Sequence, residues 1–175
     1  PWIYTPDHVA QATALFPALG KYVKFFAAFI GILLVMTSGG LMDRHYEQAI
    51  ASGKDRFNAL RTSGGEFHAL LLLSITGVML ICEANDIIWL FLALELVSLP
   101  TYVMVAMSRW SRVGQEAAMK YFFLGALGAA IFLYGFALIY GATGSTNLNE
   151  IATVFANDGI SSIGMIGMLI AVIGV

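Results

Sequence analysis

Residues Asn85–Tyr140 read NDIIWLFLALELVSLPTYVMVAMSRWSRVGQEAAMKYFFLGALGAAIFLYGFALIY. Two long apolar runs joined by a short basic loop, Ser108–Val113, form a helical hairpin with Glu95 deep in the first run and Lys120 inside the second. An ionisable side chain at such depth in a bilayer costs roughly 2.5–3.5 kcal/mol on insertion-derived scales. That cost marks the hairpin as the working part of the chain. Composition names the solvent: 59% of the 175 residues are hydrophobic and 11% charged, against about 25% charged in an ordinary soluble domain. The chain therefore reads as an integral membrane protein.

On the N-terminal side of the hairpin, the polar residues 1–15, including His8, read as a loop outside the bilayer. Phe16–Ser38 reads as a first membrane helix, reaching the ~20 residues a span needs only if Lys21 and Lys24 snorkel to the interface. Gly39–Gly65 is a mixed-charge link bounded by glycine pairs, with room for a short surface helix between Asp43 and Leu60; its His45 reads as solvated. A second helix follows over Glu66–Cys82, with Glu66 at the positive end of the helix dipole and His68 packed or interfacial one turn on. The single cysteine, Cys82, reads as a small apolar side chain that can form neither an internal disulfide nor a Cys-rich metal cluster. Glu83–Asp86 is a tight turn, and Asn85 and Asp86 are good N-caps for the third helix, Ile87–Met107.

The fourth helix spans Gly114–Tyr140, where Gly125, Ala126, Gly128, Ala129 and Ala130 permit close backbone approach to a neighbour. Gly141–Asp158 reads as a polar loop and Ser161–Val175 as the start of a fifth helix. The expected fold class is all-α: a polytopic transmembrane bundle of about five membrane helices, one transmembrane region over residues 1–175 with a polar cytoplasmic link at 39–65. A start at Pro1 instead of Met, and an end inside an apolar run, read as part of a longer chain. Arg44, Lys54, Arg56, Arg61, Arg109 and Arg112 fall in two connections on one side, whereas residues 1–15, 83–86 and 141–160 hold no Lys or Arg. The positive-inside bias puts the basic connections in the cytoplasm or its equivalent.

Glu95 lies nine residues into its helix from Asp86, about 14 Å along the axis and close to the midplane of a ~30 Å core. At 100° per residue Ser98 and Tyr102 share its side, making a polar stripe on an otherwise apolar helix. Pro100 removes one helical hydrogen bond and leaves the Leu96 carbonyl free for water or a side chain, which fits a hydrated, kinked segment around a carboxyl group. Glu116 precedes Lys120 by four residues, the spacing of a pair on one helix face. Counted from the shared loop, Glu95 and Lys120 differ in depth by roughly 9 Å, too far for an ion pair but within reach of a short water chain. Burial disfavours the charged form of either group and an approaching opposite charge restores it, so moving one partner expels or captures a proton, the basis of a relay. The alternative is that both are structural charges that fix helix packing.

No nucleotide loop, haem ligand set, iron–sulfur motif or nucleophile elbow is present in the sequence, and no basic run interleaved with aromatics suggests nucleic acid. GGEFHALLLLSITGVMLICEANDIIWLFLALELVSLPTYVMVA, followed by EAAMKYFFLGALGAAIFLYGFALIYGATG, resembles the antiporter-like membrane subunits of respiratory complex I (NADH:quinone oxidoreductase), most closely the subunit N (subunit 2) family. The marks are EF opening the second helix, AND before the third, LE-LxSLP around Glu95 and EAxxKYF leading into a Gly/Ala-rich fourth helix, together covering residues 64–144.

The resemblance implies a subunit of about fourteen helices, of which this chain supplies numbers three to seven, and a non-redox role in proton translocation driven by distant quinone reduction. It implies that Glu95 works electrostatically with a lysine on broken helix seven, expected just beyond Val175, and that Lys120 matches the helix-six lysine bridging the cytoplasmic water path. Glu116, Ser98 and Pro100 are supporting residues in this reading. No cofactor is expected in this chain; NAD, FMN, iron–sulfur clusters and quinone are expected in other subunits. The implied partners are other membrane-arm subunits, including a neighbouring antiporter-like one, and membrane lipids, in the bacterial inner (cell) membrane or the organelle equivalent. Two other readings stay open: a subunit of a multisubunit Na+/H+ antiporter on the same ancestral fold, and a structural membrane scaffold.

Overall fold

The computed structural model describes residues 19–38, 44–54, 56, 64–107 and 112–175. The expected outer loop at 1–15 with His8, the first residues of the expected first helix, the side chain of His45, Arg61, Arg109 and Trp110 lie outside the described residues. Those described form seven helices and no strand: α1 (Leu19–Ser38), α2 (Arg44–Ala51), α3 (Gly64–Ile81), α4 (Ile87–Ala106), α5 (Arg112–Thr143), α6 (Leu148–Asn157) and α7 (Ser162–Gly174). α1, α3, α4 and α5 are long and apolar enough to cross a membrane, and α7 is a shorter apolar helix. An all-α polytopic membrane bundle is therefore what the chain builds.

The spans run up and down. Lys24 of α1 donates to Glu83 in the turn after α3, and at the other end Ser38 Oγ lies 2.9 Å from His68 Nε2, so α1 and α3 are antiparallel. His68 Nδ1 also meets Gly64 O at 2.6 Å, which makes it a packed, hydrogen-bonded histidine. α4 returns against α3, with Trp89 Nε1 donating to Leu80 O at 3.3 Å and Ser74 Oγ to Val97 O at 3.2 Å. Arg44, Lys54, Arg56 and Arg112 consequently gather at one end, and Glu83, Asp86, Glu150 and Asp158 at the other. These are called here the basic and acidic ends.

The α4–α5 register decides what sits at which depth. Ile87 packs near Ile139, the Phe91 and Phe132 rings stack with centroids 6.3 Å apart, and the Tyr102 and Tyr121 rings meet edge-on at 4.9 Å. α4, at about 30 Å, matches a bilayer core, whereas the 32 residues of α5 extend about 48 Å and overshoot α4 at both ends.

One expectation needs correcting. The stretch 141–158 is not a loop throughout: Leu148–Asn157 is α6. Asn147 Oδ1 accepts from Asn149 N at 2.9 Å and Glu150 N at 3.4 Å, satisfying amides that a helix start leaves orphaned. Leu148, Ile151 and Phe155, three and four residues apart, then turn one apolar face onto the core. α5 also runs on to Thr143, past the expected end at Tyr140.

The buried core is Ile87, Phe132, Phe136, Ile139, Ile151 and Ala171, drawn from α4, α5, α6 and α7. α5 packs most extensively on α7, and small residues bring their backbones together: a Cβ on Gly135 would lie 2.4 Å from Ala171 N, and one on Gly174 would lie 2.3 Å from Phe132 N. Gly128 meets Gly174 O as its sequence suggests, while Ala126 and Ala130 face outward. No more than 22% of any spanning window is buried inside the chain, which leaves most of the apolar surface to lipid or further membrane helices.

Candidate functional site

α4 begins at Asp86, whose Oδ1 accepts from Ile88 N at 2.8 Å and Trp89 N at 3.3 Å. The helix then runs unbroken through Pro100 to Ala106. This fixed start places Glu95, Ser98 and Tyr102 on one side, facing a cavity of about 280 Å³ closed by Tyr121, Gly125 and Phe132 of α5 and by Gly174 at the end of α7. Glu95 is half-buried there and makes no hydrogen bond or ion pair with another described residue. Ser98 Oγ donates to Leu94 O at 3.0 Å, leaving its oxygen able to accept.

The other expected residues lie elsewhere. Lys120 sits on the outward face of α5, paired with Glu116 at 2.5 Å, with 69% of the lysine side chain and 65% of the glutamate exposed. The pair forms as its i,i+4 spacing predicts, but neither residue lines the cavity. Through the register of the aromatic pairs, Lys120 stands level with Val103, about 12 Å along the axis from Glu95. The structure does not bring Glu95 and Lys120 together. Pro100 is buried and faces away from the cavity. On α3, Gly77 lies directly against Leu96 and Val97, and Ser74 Oγ caps the Val97 carbonyl. α3 thus packs against the turn that precedes the proline.

Tyr121 is the cavity residue that sequence reasoning missed. Its hydroxyl lies 3.2 Å from Thr101 Oγ1, and Thr101 Oγ1 itself donates to Ser98 O at 2.7 Å. Its neighbour Lys120 drew attention as a charge. Only the pairing of α5 with α4 shows that the adjacent phenol, 100° further round the helix, faces Glu95.

At the acidic end, a clasp fixes the start of α4 to the start of α6. Thr146 Oγ1 donates to Asp86 Oδ2, Ile87 N to Thr146 O at 2.9 Å, Leu148 N to Asn85 O at 3.0 Å and Asn149 Nδ2 to Asn85 Oδ1 at 3.2 Å. The Thr146 hydroxyl holds the Asp86 carboxyl below its ordinary value against the opposing effect of burial, with further help from the Ile88 and Trp89 amides. No group of three or more His, Cys, Asp or Glu able to hold a metal occurs among the described residues.

Residues 84–175 match the family described as "NADH:quinone oxidoreductase/Mrp antiporter, TM". The chain is 43% identical over 153 residues to NADH-quinone oxidoreductase subunit N of Herminiimonas arsenicoxydans, covering 87% of the chain and 28% of that protein. It is 36% identical over 136 residues to NADH-quinone oxidoreductase subunit N 2 of Koribacter versatilis, covering 78% and 26%. The chain thus spans about a quarter of the length of these curated relatives. Among solved structures, an archaeal respiratory membrane complex, the membrane-bound sulfane sulfur reductase, aligns with a TM-score of 0.60 at 31% identity, covering 85% of this chain and 28% of that one. Respiratory complex I from Thermus thermophilus with bound aureothin aligns with a TM-score of 0.53 at 28% identity, covering 90% and 42%.

Proposed function

This chain belongs to the NADH:quinone oxidoreductase/Mrp antiporter transmembrane family, and from that membership we propose that it is part of a subunit N of the membrane arm of respiratory complex I. In this reading it moves protons and carries no redox step: electrons pass from NADH through FMN and iron–sulfur clusters to quinone in other subunits. Its partners are the other membrane-arm subunits, a second antiporter-like subunit among them, and its location is the bacterial inner membrane or the organelle equivalent. The curated relatives named above are subunits N, and both solved neighbours are respiratory membrane complexes, which supports membrane-arm partners over a free-standing carrier.

The observation that carries the reading is Glu95, a carboxyl group inside a membrane helix, turned into a cavity with room for water and without a described partner. A carboxylate in that setting is costly unless it is solvated, paired or protonated. It therefore exchanges protons whenever an opposite charge approaches or withdraws. The resemblance supplies that charge as the helix-seven lysine, and α7 is the helix whose end closes the cavity. Lys120, with Glu116, then serves the water path at the basic end, with Ser98 as an acceptor inside the cavity. The packing around Pro100 holds Glu95 in its place.

Glu95→Gln in the complete complex, assayed in sealed vesicles, tests this. Assembly is expected to persist while proton pumping and coupled quinone reduction are lost or strongly reduced. Pumping at the wild-type ratio would relegate Glu95 to packing. The family description also covers Mrp antiporters; proton movement that continues without NADH oxidation and follows a sodium gradient would favour that second reading.

A further inference from the structure

Tyr102 is 8% exposed, and its side chain lines the Glu95 cavity without a hydrogen bond to any other described residue. Among the described residues no enclosed side-chain oxygen lacks a partner, so the Tyr102 hydroxyl opens on the cavity, where water can meet it. The missing Cβ of Gly125 makes the space for it: a methyl group there would lie 2.1 Å from the phenol oxygen. Tyr102 also lines a second, largely apolar hollow of about 480 Å³ between α4 and α5 toward the basic end, walled by Ala106, Gln115 and Ala118. No other described residue lines both hollows. The Tyr102 ring is the partition between them, with its edge against Tyr121.

The hydroxyls around it have a defined polarity. Thr101 spends its one proton on Ser98 O, so in the contact with Tyr121 the phenol donates and Thr101 accepts. The lone pairs of Tyr121, a residue that is 45% exposed, remain open to a proton arriving from outside the cavity. Between Tyr102 and Glu95 the cavity has room for several waters at about 30 Å³ each.

We propose that Tyr102 is the gate and relay through which protons from the basic end reach Glu95, with Tyr121 as its entry partner. The proposal rests on Glu95 being the proton-carrying group. In each transfer the Tyr102 oxygen accepts a proton from a water whose own hydrogen bond is to the open lone pairs of Tyr121. Its original hydroxyl proton passes to a cavity water and on to the Glu95 carboxylate. One O–H bond forms as another breaks, the phenol ends neutral, and reorientation of the hydroxyl resets it.

The test uses the complete complex in sealed vesicles, with Tyr102→Phe, Gly125→Ala and Tyr121→Phe measured beside Glu95→Gln. Tyr102→Phe keeps the ring and removes the hydroxyl; Gly125→Ala keeps the hydroxyl and displaces it. Both are expected to slow proton transfer about tenfold, equivalent to about 1.4 kcal/mol on its barrier, with normal assembly and an enlarged solvent deuterium isotope effect on turnover. Wild-type pumping in Tyr102→Phe, while Glu95→Gln does not pump, overturns the relay and leaves the role of Glu95 standing. Wild-type pumping in both removes the two together. Slow pumping with an unchanged isotope effect points to loosened packing and likewise overturns the relay. Should Tyr102→Phe fail to assemble, Tyr121→Phe decides: a several-fold loss supports the proposal and wild-type pumping refutes it.

Discussion

Replacing Gly135 by alanine adds one methyl group at the tightest crossing of the bundle. That carbon would lie 2.4 Å from Ala171 N, 2.7 Å from its Cα and 2.8 Å from its Cβ. Ordinary carbon contacts are about 3.5–4.0 Å, so α7 must retreat by roughly 1 Å, and two of the three atoms in the way belong to the backbone and cannot rotate aside. Overpacking of this kind costs about 1–3 kcal/mol. Each kcal/mol lowers the melting temperature by about 2–4 °C in a unit of 150–250 residues and by less in a longer subunit. Thermal unfolding of the full-length subunit in detergent should therefore show a drop of a degree or more for Gly135→Ala and almost none for Ala130→Val on the outward face. Adding Ala171→Gly removes only the Cβ contact and should restore part of the loss. If Gly135→Ala melts with the wild type, the α5–α7 crossing is not as close as described and the wall of the Glu95 cavity has to be redrawn.

Other expectations follow from individual contacts. Because Asp86 titrates below its ordinary value, its ionised form contributes stability that is complete above a pH of about 3.9, the reference value for an aspartate. That contribution fades as pH falls further, through the lowered folded value; Thr146→Val should shrink it, seen as a smaller difference between melts at neutral and acid pH. Asp86→Ala also removes an N-cap and should cost about 0.5–2 kcal/mol in the same melts. The Glu116–Lys120 pair lies on the outward face of α5, with both side chains more than half exposed in this chain. Lys120→Met should thus leave the melt nearly unchanged, so that any loss of pumping in that variant reports on proton traffic and a large stability loss would refute the exposed placement.

The membrane class, the hairpin, the Asp86 cap and the side shared by Glu95, Ser98 and Tyr102 were legible in the sequence because each depends on spacing within one segment. α6 was not, since ten residues with asparagine and glutamate at their start look like a loop until the core beneath Ile151 is known. The roughly 9 Å depth difference between Glu95 and Lys120 came from counting outward from the loop. Stacking of Phe91 on Phe132 sets the register instead and stretches it to about 12 Å. Tyr121 escaped for a related reason: a residue's place beside a cavity depends on the partner helix, and no periodicity within α5 announces it, whereas Gly125 was legible as a small residue permitting close approach though not as the one Tyr102 fills.

The join between Asp86 and Thr146 turns α4 into a lever with its pivot at the acidic end. With that point held, a tilt of about 5° carries the level of Glu95 by only about 1 Å, but the level of Tyr102, some 24 Å from the pivot, by about 2 Å. A swing of that size parts the two phenol rings before it disturbs the carboxylate. Were Tyr102 to gate as proposed, such a swing would open the cavity toward the basic end while the carboxylate stays in place.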